Sequence, residues 1–397
     1  MRLRVESPDG RVLALAPVTL GSGGRRHTVK ELEEILRARS RARGPLVLAT
    51  VVAVSGSAYR RPGARMLMAE EGRLAGGVSG GCLERDVVRK AFFWTSGGPH
   101  VLRYDSTVDS TEDEDGLTFA LGCNGVVDIL LERCEPGPVD ALAFAEEARK
   151  RTQRVVIATV YRGGEVGARL LLREDGEEAS NLSGPLRDAV RAAAGEALEV
   201  GRTWSGPCGG AEVLVEVVDP PPPVVLFGGG FDVAPVVVQA ASLGWHVTVV
   251  ADKPAELLRQ RFPRAHAVVA TKARDILDTV SLSPRTLAVV MTHSLPQDRE
   301  LLARLVPQSL RYLGVLGPRS RTDRVLGELS PAPTPAQLEK LHAPIGLDLG
   351  AEGAEEVALS IVAELRAVLA RREGGKLRER QAPIHADAPP PAARRLA

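Results

Sequence analysis

Apolar residues at Leu32, Ile35 and Leu36 share one face of a helix that opens with a capping box of Thr28 and Glu31. Its arginines at 37, 39, 41 and 43 are expected on a solvated surface. Ahead of it, residues 1–27 read as a short hairpin, Leu3–Val5 and Val12–Leu15 about Asp9-Gly10, followed by a glycine loop. Leu46–Val54 is rich in β-branched residues and predicts a buried strand. Met66–Met68 predicts a second, which turns at Glu71-Gly72 and leads to the glycine-rich stretch Gly76–Arg85 and a helix over Leu83–Phe93. After residue 223 the pattern changes. Short apolar runs at Val224–Phe227, Trp245–Val250, His266–Ala270, Leu287–Met291 and Tyr312–Leu316 alternate with helical segments at Ala234–Leu243, Ala273–Val280 and Asp298–Val306. That alternation predicts a parallel sheet wrapped by helices. A final helix carries Glu355 and Glu356 in its first turn and buries Val357, Ile361, Leu365, Val368 and Leu369.

The first half also repeats itself. LATVVAVSGSAYRRPGARMLMAEEGRLAGGVSGG is answered by IATVYRGGEVGARLLLREDGEEASNLSG, with Gly63-Ala64-Arg65, Gly72 and Ser79-Gly80 matched at a constant offset of 104. GCNGVVDILLE (Gly122–Glu132) is echoed by PCGGAEVLVE (Pro207–Glu216). The expected architecture is α/β: a strand-rich N-terminal α+β domain with an internal pseudo-repeat, joined by a proline linker to a Rossmann-like parallel sheet. The parts are an extension at 1–27, a domain at 28–218 with modules near 45–133 and 154–218, a linker at 219–223, a Rossmann-like domain at 224–372 and a disordered tail at 373–397.

Composition narrows the function. Net charge is +1, which offers no global attraction for nucleic acid or membrane. Of the 51 basic residues, 44 are arginine, so single arginine clusters carry little weight. Four cysteines without C-x-x-C spacing suggest a reducing compartment. The apolar stretch Val12–Leu20 is broken by Pro17, and Val224–Ala251 by glycines, Asp232 and Pro235. The expected location is the cytoplasm.

Two stretches carry candidate chemistry. Gly76–Arg85 places a hydroxyl (Ser79), a sulfur (Cys82) and a carboxylate (Glu84) among glycines whose N–H groups are expected to be bare and suited to an anion. A cysteine where a turn becomes a helix is in a reactive position. Arg60, Arg61 and Arg65 are candidates for neutralising a phosphate. The second copy lacks both the sulfur and the five residues around Tyr59-Arg60-Arg61, so the first copy is the candidate site. Cys123 and Cys208 are expected to pack at a shared glycine turn, and Cys134 to be structural. The acid-rich Asp105–Gly116 reads as a solvated loop, and no metal-ligand set is assigned. In the second half, Gly228-Gly229-Gly230 follows a strand and opens a helix, as a nucleotide-binding turn does, with Val233 or Ala234 at the third glycine position. Asp252 stands where a carboxylate bonds a ribose, and His293, Arg319 and Arg321 are expected on the same rim.

These motifs resemble the XdhC/CoxI proteins, maturation factors for molybdenum hydroxylases. The resemblance spans Leu46 to Leu369 and includes GGVSGGCLE, GLTFALGCNG, PPPVVLFGGG, LGWHVTVVADKP, MTHSLPQDRELL, YLGVLGPRSR and PIGLDLGAEGAEEVALSIVAE. It implies a chaperone that binds molybdenum cofactor (molybdopterin), assists its sulfuration by a cysteine desulfurase and inserts it into the apo-hydroxylase. On this resemblance Ser79, Gly80, Gly81, Cys82 and Glu84 form an N-terminal signature, and Gly228, Gly230, His293, Asp298, Arg319 and Arg321 a Rossmann-side one. The chain departs from the family pattern at four places: Phe231 replaces a histidine after the glycines, Ala251 replaces the aspartate that ends the second strand, Asn124 replaces a glycine, and Gly353-Ala354 replaces a Thr-Pro helix start. An NAD(P)-dependent oxidoreductase with His293 as proton donor, and a nucleotide-sensing assembly module, are the alternatives; a homodimer is left open.

Overall fold

The computed structural model describes residues 29–106 and 125–381, with the paired strands β1 (Val5–Glu6) and β2 (Val12–Leu13). Thr28 of the expected capping box, most of the acid-rich segment, Cys123 and the tail from 382 onward lie outside these residues. The described residues divide into two compact units, one over residues 31–220 and the other over residues 221–381 together with residues 29–30.

The first unit is built twice over. Its first module runs α1 (Val29–Arg41), β3 (Val47–Gly56), β4 (Arg65–Ala69), β5 (Gly72–Gly76), α2 (Glu84–Trp94), β6 (His100–Asp105) and β7 (Gly125–Arg133). The second runs α3 (Ala141–Lys150), β8 (Val155–Arg162), β9 (Arg169–Arg173), β10 (Glu178–Ser180), α4 (Gly184–Val200), β11 (Trp204–Cys208) and β12 (Ala211–Val218). Each module forms a five-stranded antiparallel sheet, ordered β5-β4-β3-β7-β6 and β10-β9-β8-β12-β11, so the topology is the same in both. Even the irregularity recurs: the β3–β7 register slips at Val52 and the β8–β12 register at Tyr161, each an extra residue that bends its strand.

The sheets meet face to face. Leu48 and Leu67 of the first pack with Ile157 and Leu171 of the second, and Leu32, Ile35 and Leu36 of α1 and Ala141, Leu142 and Ala145 of α3 join the same core. The bulged Val52 and Tyr161 cluster with Leu130 and Leu214. α2 covers the outer face of the first sheet through Val87 and Ala91, and α4 that of the second through Val190, Ala194 and Ala197. Burying both faces explains why β3 and β8 read as unbroken apolar runs rather than alternating ones. Arg39 departs from its solvated expectation: it bonds the Asp140 carboxylate, the N-cap of α3, with 3.0 Å from Nη1 to Oδ1.

The second unit comprises β13 (Pro223–Phe227), α5 (Val233–Ser242), β14 (His246–Ala251), α6 (Ala255–Arg261), β15 (Ala267–Ala270), α7 (Ile276–Thr279), β16 (Leu287–Val290), α8 (Leu295–Leu305), β17 (Tyr312–Val315), α9 (Arg319–Gly327), α10 (Pro335–Leu338), β18 (Leu341–His342) and α11 (Ala354–Leu369). Its six strands are parallel in the order β15-β14-β13-β16-β17-β18, the doubly wound nucleotide-binding arrangement. Side chains alternate across it: Val224 and Leu226 face α5 and α11, while Val225 and Phe227 face α8. The tail expected from residue 373 contains a described turn at Leu377–Glu379. Among the described residues no helix is long and apolar enough to cross a membrane.

Candidate functional site

The glycine stretch of the first module leaves its sheet at Gly76, whose φ is +74° and where an added Cβ would run into the Arg65 carbonyl. Only glycine allows the strand to turn out there. The Gly77 N–H donates back to that carbonyl at 2.7 Å. Glu84, the first residue of α2, then reaches across the turn. Its carboxylate accepts the N–H groups of Val78 at 3.1 Å and Ser79 at 2.8 Å, and the Ser79 hydroxyl. Ser79 Oγ in turn accepts the N–H groups of Gly81 at 3.1 Å and Leu83 at 3.0 Å, and Cys82 Sγ lies 3.4 Å from the same oxygen. Burial pushes the Glu84 carboxyl up, but the bonds from Ser79 and Val78 outweigh it and hold it below the ordinary glutamate value.

The expected row of bare N–H groups is therefore largely internally satisfied. Ser79 and Glu84 occupy four of them; among the described residues only those of Gly80 and Cys82 in this turn lack an acceptor. Cys82 is exposed. The Tyr59 ring lies over Gly80, its Cγ 3.5 Å from where a Cβ would stand.

The three candidate arginines separate. Arg65 is buried and donates two bonds to Glu216, so its charge is neutralised inside the unit and it does not face a ligand. Arg60 donates from Nε to the Gly77 carbonyl at 3.0 Å and pairs with Glu31, bracing the loop. Arg61 keeps a buried Nε–H with no partner among the described residues, and burial lowers its affinity for its proton. The second module closes this site off. There the residues matching Gly80–Leu83 form the first turn of α4, which begins at Gly184 with Pro185 behind it. Cys208 sits at the β11–β12 hairpin, half-buried, and burial raises its pKa; deeper burial raises that of Cys134 to about 11.

In the second unit the strand order reverses between β13 and β16, and ligands of such sheets bind at the crevice this opens. Gly228 follows β13 with φ +153°; its N–H donates to the Val250 carbonyl at 2.9 Å, and an added Cβ would strike the Met291 carbonyl. His293 follows β16, is 71% exposed, and places Nε2 3.1 Å from Asp232 Oδ2 across the crevice mouth beside Gly230. Asp298 is buried and accepts the Thr292 hydroxyl together with Arg321 Nε at 2.9 Å and Nη2 at 2.6 Å. Arg321 thus fixes the loop after β16, whereas Arg319 is exposed at the start of α9.

Asp252 is exposed, and the atoms set against Gly229 belong to Ala251 and Lys253 instead. Arg261, at the end of α6, donates to the Gly229 carbonyl and lies 4.7 Å over the Phe231 ring. Neither Lys253 nor Arg261 was singled out by the motif. The available signal was three cations, Lys253, Arg259 and Arg261, within ten residues of the second strand's end.

Comparison with known proteins places both units. The XdhC Rossmann domain matches residues 224–365, and the XdhC and CoxI family matches residues 40–105. A Bacillus subtilis (strain 168) protein named as a probable xanthine dehydrogenase subunit is 31% identical over 329 residues, covering 80% of this chain and 92% of that protein. An uncharacterised Escherichia coli (strain K12) protein, YqeB, is 29% identical over 171 residues, 42% of this chain and 31% of its own length. A crystal structure described as a xanthine dehydrogenase from Bacillus halodurans superposes with a TM-score of 0.70 at 27% identity, covering 87% of this chain and 98% of that one. The chain belongs to the XdhC and CoxI family of xanthine dehydrogenase accessory proteins.

Proposed function

We propose that this protein is a maturation factor that holds molybdenum cofactor at the Ser79–Glu84 turn and passes it to a molybdenum hydroxylase of the xanthine or carbon monoxide dehydrogenase type. The cargo is a pterin with a phosphate at one end and a metal dithiolene at the other. Residues at the turn suit both ends. The unpartnered N–H groups of Gly80 and Cys82 offer donors to an anion. The exposed Cys82 sulfur offers a soft contact to the metal end. Ser79 and Glu84 shape the turn, and the Tyr59 ring beside Gly80 gives the pterin a surface to stack on.

The observation that carries this reading is the difference between the modules. Two copies of one topology differ at the same place: one begins its helix at once, while the other opens a turn around an exposed sulfur. A purely structural turn has no need of that difference. A cysteine desulfurase would supply the sulfur added to the cofactor while it is held, and the Rossmann crevice would bind a nucleotide. The test is Cys82→Ser, which should fold normally by circular dichroism and thermal melting yet lower activation of an apo-hydroxylase. Full activation by that variant would remove the sulfur from the function.

A further inference from the structure

In a dinucleotide fold the side chain at the end of the second strand faces the adenosine ribose. A carboxylate there accepts the ribose hydroxyls and repels a phosphate, whereas a nearby cation accommodates a 2′-phosphate. Here the strand-end residue is Ala251, whose Cβ lies 3.2 Å from where a Cβ on Gly229 would stand. Two residues on, the chain returns to the same side, and Lys253 brings Cδ to 3.1 Å and Cε to 3.2 Å of that point. Asp252, between them, contributes none of the atoms nearest Gly229 and is exposed.

A second cation reaches the same residue from α6. Arg261 donates to the Gly229 carbonyl and stacks on Phe231, which is 81% exposed. Two interactions therefore set its position before any ligand arrives, and its remaining N–H donors are available to an anion. A methyl group stands at the position a ribose-binding carboxylate would take, and two cations flank it.

Given that the crevice binds a nucleotide, as proposed above, we infer that Lys253 and Arg261 make it select a ribose bearing a 2′-phosphate, NADP(H) over NAD(H). One charge-assisted hydrogen bond to that phosphate corresponds to about tenfold in affinity. The test is calorimetric titration of the full chain with NADPH, NADH and CTP, with thermal melts to confirm folding of each variant. The expected result is NADPH binding at least about tenfold tighter than NADH. Lys253→Gln should weaken NADPH alone, and Ala251→Asp should reverse the preference. NADH binding as tightly as NADPH, or CTP binding with neither dinucleotide, would overturn the inference and leave the crevice a nucleotide site. Binding of none of the three would overturn both.

Discussion

Arg65, on β4 of the first module, is bonded through both terminal guanidinium nitrogens to Glu216, on β12 of the second, and both side chains are buried. The repeat carries the mirror contact: Arg169, 104 residues after Arg65, reaches Glu132, the counterpart of Glu216 on β7. Each module thus supplies the carboxylate that neutralises the other's buried arginine. Burial, together with the neighbouring Arg65 charge, lowers the Arg169 pKa to about 10, so the two cations depend on these exchanged partners. Neither module could bury its arginine alone, which ties the two sheets into one folding unit.

Removing one acceptor should expose that dependence. Glu216→Ala is expected to cost about 3–5 kcal/mol in denaturant unfolding, because Arg65 is left charged and buried. The apolar pair Arg65→Met with Glu216→Leu should recover most of that loss, since well-packed hydrocarbon often replaces a buried ion pair without penalty. A double variant as unstable as the single one would contradict this account.

Thiol chemistry should separate the described cysteines by environment. Cys82 is exposed, whereas burial raises Cys134 to about 11 and Cys208 also upward. Alkylation at pH 7.5, roughly physiological, read by peptide mass spectrometry, should label Cys82 first and Cys134 last. Equal labelling of Cys82 and Cys134 would show that the turn is closed.

Glu84 makes the turn pH-dependent. Its carboxyl is held below the ordinary value of 4.5, so the stability it contributes is present above that value and is lost as pH falls through the lowered folded value. Glu84→Gln is expected to cost about 1–2 kcal/mol at neutral pH, and the difference from wild type should shrink below pH ~4.5. A difference that is flat from pH 7 to about 3 would contradict the bonding assigned to Glu84.

Gly228 and Gly230 should not be equivalent. Gly228→Ala sets a side chain at φ +153° against the Met291 carbonyl, a fixed backbone atom. It is expected to destabilise by about 1–3 kcal/mol. Gly230→Ala meets the Asp232 carboxylate, a side chain that can rotate, so it should cost less while disturbing the His293 contact. Thermal melts of the two variants decide the order.

The parts legible in the sequence were those written in local pattern. The apolar runs of β13, β14, β16 and β17 mark a buried parallel sheet, and the turn residues Gly63-Ala64-Arg65 and Gly167-Ala168-Arg169 mark the repeat. The edge strands β5, β6, β10 and β11 stayed hidden because they are short and mix polar with apolar residues. The Arg65–Glu216 exchange could not be read, since 151 residues separate partners that only the facing sheets bring together. The glycine turn misled for a geometric reason. Its N–H groups look bare in sequence, yet Glu84 folds back five residues to occupy that of Ser79, which follows only once α2 begins at Glu84. Asp252 stands one step past the aspartate position of the family pattern, and the structure likewise ends β14 at Ala251.

The central claim is that the turn around Cys82 carries a pterin cargo. The protein, purified from a host able to make molybdenum cofactor, is denatured, oxidised and assayed for pterin fluorescence, beside Cys82→Ser purified in parallel. The account predicts fluorescence from the wild-type protein that falls sharply in the variant; absence of pterin from the wild type, or equal amounts in both, would contradict it.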